Sequence, residues 1–466
     1  MNHNMRNIFI SAISLAMTLA SCSGTRGLVT PRLDDMPASF TPGTDPVADS
    51  MSIADMAWWE IYSDSTLRHL MRTALDDNRD LLKAASRVEQ ARLQYGIARA
   101  DLLPTVGVNI GYSHETNDYN GSGTTKDPEF DLKLPVTWEM NLMGSLIHAR
   151  KGAGARFAAT AEDYRAMRMT LIADVASAYF TLRSLTEELL IVRQTMRTRA
   201  ESLEQARLRF EGGLTPETVY QQAKVEYSSA AALIPGLEQR VMASRNALAL
   251  LTGHYPTDTL FAGGSVEVMD TPSGPLPTGF PSSLLKRRPD LRASELRLRA
   301  TMSDVGEKWA DRFPSLRISL TPGFENDGLT RLLKSPFTYI AATVAGPVVD
   351  FGRRKKQWLI ARQNYEQARL DYEKNVMTAF TEVSTAIDAL AHSREARARQ
   401  TDLRDAAAKY VQLARVQYRG GTLSYIDVLD AQRRYFDARI ALNRAILSES
   451  LALVSLYKTL GGGWTE

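Results

Sequence analysis

The sequence predicts a mainly α-helical protein made of two copies of one unit, each copy carrying long coiled-coil helices and a pair of β-strands patterned for a membrane β-barrel. Three observations predict it. Landmarks recur at a nearly constant offset, long stretches lack proline and hold a heptad seam, and short segments alternate apolar with polar residues.

The repeat comes first. Asp80-Leu81 and Ala100-Asp101-Leu102-Leu103-Pro104 return as Asp290-Leu291 and Ala310-Asp311-Arg312-Phe313-Pro314, offset by 290 − 80 = 210 and 314 − 104 = 210. Phe210-Glu211-Gly212-Gly213 returns as Tyr418-Arg419-Gly420-Gly421, and Gly253 as Gly461, both offset by 208. Such a period is far outside the roughly 20–50 residues of solenoids and reads as a duplicated domain-sized unit. Each unit opens with a helix (about Leu67 to Ala100, then about Leu291 to Asp311), ended by a proline. Short strands follow, then a very long helix, a Gly-Gly break and a returning helix.

The helices follow from composition and period. No proline falls between Val136 and Thr215 or after Pro347, and proline inside a helix costs about 3 kcal/mol. Heptad steps from Tyr164 and from Arg168 give fourteen seam positions to Phe210, of which all but Arg168 and Arg199 are apolar. That period predicts a supercoiled helix. Phe351 to Tyr418 predicts a second, with charges interrupting its seam at Ser393 to Arg404. Pro235, inside the first returning helix, predicts a bend.

The strands follow from alternation. Val106, Val108, Ile110 and Tyr112 share one face; Phe130, Leu132, Leu134, Val136, Trp138 and Met140 share another, with Asp131, Lys133, Thr137 and Glu139 between them. Leu316, Ile318 and Leu320 alternate in the second unit, whereas Phe337 to Val349 is too uniformly apolar to assign a facing. The pattern suits a barrel with a wet lumen and equally a half-buried sheet in a soluble protein. The intervening loops, Ser113 to Glu129 and Glu325 to Ser335, read as polar and solvated.

The N-terminus reads as an export signal. Arg6 is followed by a short apolar run, Ile8 to Ala20, too short to span a bilayer. It ends in Leu19-Ala20-Ser21-Cys22, and Cys22 is the only cysteine in the chain. This resembles a bacterial lipobox, whose cysteine is acylated and becomes the new N-terminus; the alternative is a plain signal peptide with an incidental cysteine. The expected organisation is a lipoprotein signal at 1–21, an extended segment at 22–66, a first repeat at 67–270, a linker at 271–289 and a second repeat at 290–466. No other segment holds 18 consecutive apolar residues, so any further span must be made of barrel strands. With 56 basic against 53 acidic residues the net charge is +3, and composition gives no support to a nucleic-acid partner. The six histidines are scattered without an HExxH pair, and neither a GxSxG elbow nor a P-loop is present, so no catalytic residues, metal site or cofactor are expected.

In order and spacing these landmarks resemble the TolC-like outer-membrane efflux channels, in particular the lipoprotein branch that works with resistance-nodulation-division pumps. The resemblance rests on Trp58-Trp59 and Asn78-Arg79-Asp80-Leu81, and on Trp138 to Gly144 with its counterpart Gly346 to Arg354. It rests also on Tyr418-Arg419-Gly420-Gly421 with Tyr425 to Arg433, and on the ending Leu460-Gly461-Gly462-Gly463-Trp464. It implies a homotrimer whose four strands per chain close a twelve-stranded barrel in outer-membrane lipid, above a helical tunnel in the periplasm. The implied partners are a periplasmic adaptor (a membrane fusion protein) and an inner-membrane pump, and the implied work is passive conduction of small molecules. The adaptor would dock at the tips, Gly212, Gly213, Tyr418, Gly420 and Gly421, which turn chemistry alone also explains. Acidic rings near the closed tip are a family feature. Leu423 stands where some members carry Asp, which leaves Asp427 and, one turn further, Asp430 as gate carboxylates or as ordinary solvated helix carboxylates. The rival functions are the channel of a type I protein-secretion system and a periplasmic coiled-coil scaffold.

Overall fold

The computed structural model describes residues 52–61, 64–118, 124–256, 283–346 and 349–463, with a few isolated positions before residue 41. Cys22, most of the expected linker and Trp464 lie outside the described residues. The elements are α1 Ser65–Asp77, α2 Arg79–Ala100, β1 Thr105–Val106, β2 Asn109–Asp118, β3 Thr124–Lys133, β4 Val136–Asn141, α3 Ser145–Glu211 and α4 Glu217–Leu251. The second repeat supplies α5 Pro289–Ala310, β5 Ser315–Asn326, β6 Pro336–Ala345, α6 Arg353–Arg419 and α7 Tyr425–Thr459. The duplication is therefore present element by element. At 67 residues each, α3 and α6 are continuous helices of roughly 100 Å.

Several details differ from the sequence expectation. The stretch expected as a polar loop at Ser113 to Glu129 is largely strand, β2 running on to Asp118 and β3 starting at Thr124. The opening helix is broken at Asn78, whose backbone is extended. Its N–H closes α1 on the Ala74 carbonyl, and its Oδ1 accepts from the N–H groups of Asp80 and Leu81 to start α2. One residue thus ends a helix with its backbone and caps the next with its side chain. The stretch before residue 66 also holds structure: Ile53–Asp55 forms a 3-10 turn closed by a Ser52–Asp55 capping box, and Trp58–Ile61 a single helical turn.

By internal contacts the chain divides into two units, one built on residues 86–162 and 292–375, the other on 34–85, 163–291 and 376–466. The first holds one antiparallel sheet. Its six segments lie on four paths: β1 with β2, β3 with β4, β5, and β6. The second path breaks at Leu134-Pro135, because proline has no N–H for the ladder. Gly107 N–H to the Pro135 carbonyl and Leu134 N–H to the Pro322 carbonyl, both 2.9 Å, bridge the break. β5 is central, pairing with β4 through Ser315 to Leu320, with β3 through Gly323 to Asn326, and with β6 along nearly its whole length.

Register settles the facing that sequence left open. Ile110, Leu132, Phe324 and Pro336 lie abreast, as do Val136, Leu320 and Ile340, and Met140, Leu316 and Val344. The other face carries Asp131, Lys133, Glu139, Arg317 and Glu325. Lys133 lies 3.4 Å from Glu325 and 3.5 Å from Glu129, and Arg317 lies 3.2 Å from Glu139. In β6 the even positions therefore join the apolar face and the odd ones the charged face, where Phe337 lies under Lys133 at 5.9 Å.

The strands turn into helices at equivalent corners. Asn141 Oδ1 accepts from the N–H groups of Met143 and Ser145 at the start of α3. Asp350 does the same for Gly352 and Arg354 at the start of α6, offset by 350 − 141 = 209.

The second unit holds the helical core, with Leu67, Leu70, Met71, Leu248, Leu453 and Leu456 almost fully buried. Each repeat ends in a glycine with positive φ seated against the residue that precedes the next helix's cap. A Cβ on Gly253 would meet the Asp77 carbonyl oxygen at 2.3 Å, and one on Gly461 would meet the Arg287 backbone at 3.1 Å. This gives the Leu251-Thr252-Gly253 and Thr459-Leu460-Gly461 landmarks a packing reason. Composition and length would let α7 cross a membrane, yet half of its apolar window is buried within the protein, as in a core helix.

Candidate functional site

Two features can do the work of a channel: the tips where the long helices reverse, and the two-faced sheet. At the first tip the N–H of Gly213 bonds the Phe210 carbonyl and that of Leu214 the Arg209 carbonyl. At the second, Gly421 bonds Tyr418 and Thr422 bonds Gln417. Both are Schellman closures, which need a left-handed residue; φ is +72° at Gly213 and +75° at Gly421. Gly212 and Gly420 keep ordinary φ, so only the second glycine of each pair is demanded by backbone conformation.

The structure brings the two tips together. Arg209 donates to the Tyr418 hydroxyl and its guanidinium lies 5.4 Å from that ring. Tyr418 packs on Tyr425 at 5.3 Å, and the Tyr425 hydroxyl donates to the Ser202 carbonyl at 3.2 Å. Burial pushes the Tyr425 phenol up, which keeps it a donor. A groove of about 370 Å³ lies between the two turns, lined by Ala206, Arg209, Val219, Tyr418 and Tyr425 among others. Sequence reasoning singled out Tyr418 and placed Tyr425 in the tip motif without a role, but missed Arg209 and Ser202, because nothing in one repeat marks which residue of the other it meets.

The tip carboxylates have local partners. Asp427 Oδ2 accepts from the Ser424 N–H at 3.2 Å and closes a capping box at the start of α7. Asp430 sits between Arg433 and Arg434 at 2.6 and 2.7 Å, and the hydrogen bond from Arg434 is the main influence holding its carboxyl below the usual range. Among the described residues no group of three His, Cys, Asp or Glu is placed to hold a metal.

The sheet is open. The outer edges of β2 and β6 are unpaired among the described residues, and its apolar face is exposed, with Ile110 at 79 %, Ile340 at 71 % and Val344 at 64 %. In water such a surface would cost roughly 25 cal/mol for each Å². An apolar face backed by a charged one, on strands that run into single helices about 100 Å long, marks an outer-membrane channel protein.

The particular family is equally plain: the chain belongs to the outer membrane efflux proteins, whose family profile matches residues 70–254 and 280–462. It is 31% identical over 417 residues to the toluene efflux pump outer membrane protein TtgF of Pseudomonas putida, covering 88% of this chain and 86% of that one. It is 29% identical over 440 residues to the probable outer membrane lipoprotein SilC of Salmonella typhimurium, covering 92% and 91%. Among solved structures, the Campylobacter jejuni CmeC outer membrane channel superposes with a TM-score of 0.88 at 25% identity over 95% of each chain. The protein is an outer-membrane channel of an efflux system.

Proposed function

We propose that three copies of this chain form the exit duct of a tripartite pump, driven by an inner-membrane resistance-nodulation-division transporter and coupled to it by a periplasmic adaptor. The open sheet carries this reading. Four strand paths cannot close a barrel, which needs about eight or more, and the two bare edges within lipid require sister chains. Three chains supply twelve strands. The polar face then lines a wet lumen and the duct needs little selectivity of its own. Its cargo would be small toxic molecules: drugs, apolar solvents of the toluene kind or metal ions.

The tip groove and the turns at Gly212-Gly213 and Gly420-Gly421 are the proposed adaptor contacts, with Arg209–Tyr418 and Tyr425–Ser202 tying the two hairpins of one subunit. Asp427 and Asp430 are the proposed gate carboxylates. Their present partners make Asp430 the more telling position, since Asp427 also starts a helix. Cys22 is the proposed lipid anchor; several acyl chains at about 0.8 kcal/mol per buried methylene would hold firmly.

The purified full-length protein in a planar bilayer should give stepwise single-channel currents, and deleting its gene should sensitise cells to toxic small molecules. A soluble, non-conducting mature protein would sink the proposal in favour of a scaffold, and loss of protein secretion with unchanged tolerance would favour a type I secretion duct.

A further inference from the structure

We infer that the β5–β6 turn is a membrane-contact element, seating two leucines and two cations on the phosphate-bearing headgroups of the outer leaflet. Sequence alone reads this turn as a solvated loop. The structure instead folds Leu329–Lys334 into a 3-10 helix. It is fixed in place: Asn326 Oδ1 accepts from the Gly328 N–H at 3.1 Å, Asn326 Nδ2 donates to the Ser335 hydroxyl at 2.7 Å, and Arg331 N–H bonds the Gly328 carbonyl at 2.9 Å.

On this platform Leu329 is 65 % and Leu333 69 % exposed, which is costly for a turn surrounded by water. Arg331 and Lys334 are exposed as well, and neither makes an ion pair among the described residues. Three residues apart in a 3-10 helix, they stand one above the other. Asp327 is the carboxylate within the turn, so the turn sums to +1.

Side and height agree with a lipid partner. Asn326, which holds the helix, pairs with Phe130 and continues the row of Phe324 on the apolar face. β6 has 10 residues. At about 3.4 Å each and a barrel tilt of about 40° it rises roughly 26 Å, close to the ~25 Å apolar band of such barrels. The turn therefore emerges where acyl chains give way to phosphates, and leucines beside cations match that boundary.

The inference rests on the sheet lying in the membrane with its apolar face to lipid, so the test includes a control on that point. Leu333→Trp and, separately, Ile340→Trp would be made in the full-length protein. Each would be reconstituted in vesicles of phosphatidylcholine with and without lipid A, and read as the difference from wild type. Brominated phosphatidylcholine should quench both added tryptophans, and lipid A should shift the emission of Trp at 333 to the blue. Arg331→Gln with Lys334→Gln should weaken that response to lipid A by roughly thirtyfold, at the usual strength of two cations near an anionic surface. Quenching at 340 but not at 333, with acrylamide reaching 333 as it does an aqueous tryptophan, would overturn this inference alone. A response at 333 indifferent to lipid A and to the two cations would overturn the phosphate contact. No lipid quenching at 340 would overturn the barrel reading and this inference with it.

Discussion

At the scale of single residues, conformation and burial separate positions that look alike in sequence. Gly420 and Gly421 are neighbours in one motif, but only Gly421 has positive φ, and a Cβ on Gly420 meets nothing closer than 3.5 Å. Gly421→Ala should therefore cost about 1–2 kcal/mol and lower the thermal midpoint, whereas Gly420→Ala should leave it nearly unchanged; equal shifts would contradict the closure described for the tip. His148 is a second case. It packs so closely on Gly306 that a Cβ there would lie 2.5 Å from the ring, and burial, then Lys151, pull its pKa down against Glu307. The folded state thus binds its proton less readily than the unfolded chain. The neutral-His contribution is present above the unfolded pKa of about 6.5 and is lost as pH falls below it toward the folded pKa. The thermal midpoint of wild type should drop more steeply below about pH 6.5 than that of His148→Gln; parallel profiles would remove His148 from the acid response.

At the scale of elements, the heptad seam of α3 is interrupted where the structure joins helices to each other. Arg199, one of the two charged seam positions, is 5 % exposed. It pairs with Glu226 of α4 at 2.9 Å, donates to the Glu226 carbonyl at 2.8 Å and lies over the Phe436 ring of α7 at 5.3 Å. Asn443 of α7, also buried, donates to the Ser184 carbonyl of α3 at 2.9 Å. A polar group at a seam fixes register at a cost in stability, because only one alignment satisfies it. Arg199→Ala leaves Glu226 half-buried without its partner and should destabilise by about 3–5 kcal/mol. Arg199→Met together with Glu226→Gln should recover most of that loss. A single-mutant midpoint equal to wild type would show that the pair adds nothing to helix packing.

At the scale of the whole molecule, the two faces of the sheet make opposite predictions for neighbouring residues. Ile340 lies on the apolar face and Thr343 opposite Arg317 on the charged one. Ile340→Lys should cost about 2–4 kcal/mol near the bilayer midplane and reduce the folded, heat-modifiable fraction on gels. Thr343→Lys should fold normally and shift single-channel selectivity toward anions. If both variants folded equally well, the apolar face would not be the lipid face. At the proposed anchor, Cys22→Ser should abolish metabolic labelling by palmitate, and retained labelling would count against the lipobox.

Pattern and period are local properties, so the sequence alone determined much. It showed the duplication, the long helices, the alternating strands and the Gly-Gly reversals, because proline cost, heptad spacing and period-two alternation act along the chain. It did not show that Asn78 splits the opening helix, since its cap on Asp80 and Leu81 is joined by a distant contact, Nδ2 donating to the Leu251 carbonyl at 2.9 Å, that no local pattern reveals. Nor could it assign the facing of β6, whose residues are nearly all apolar; that needed the register with β5. Arg209 meeting Tyr418, Arg199 lying over Phe436 and the glycines seated on Asp77 and Arg287 depend on residues about 170 to 240 positions apart. Only the tertiary structure decided them, because packing selects one partner among many that are chemically equivalent in the chain.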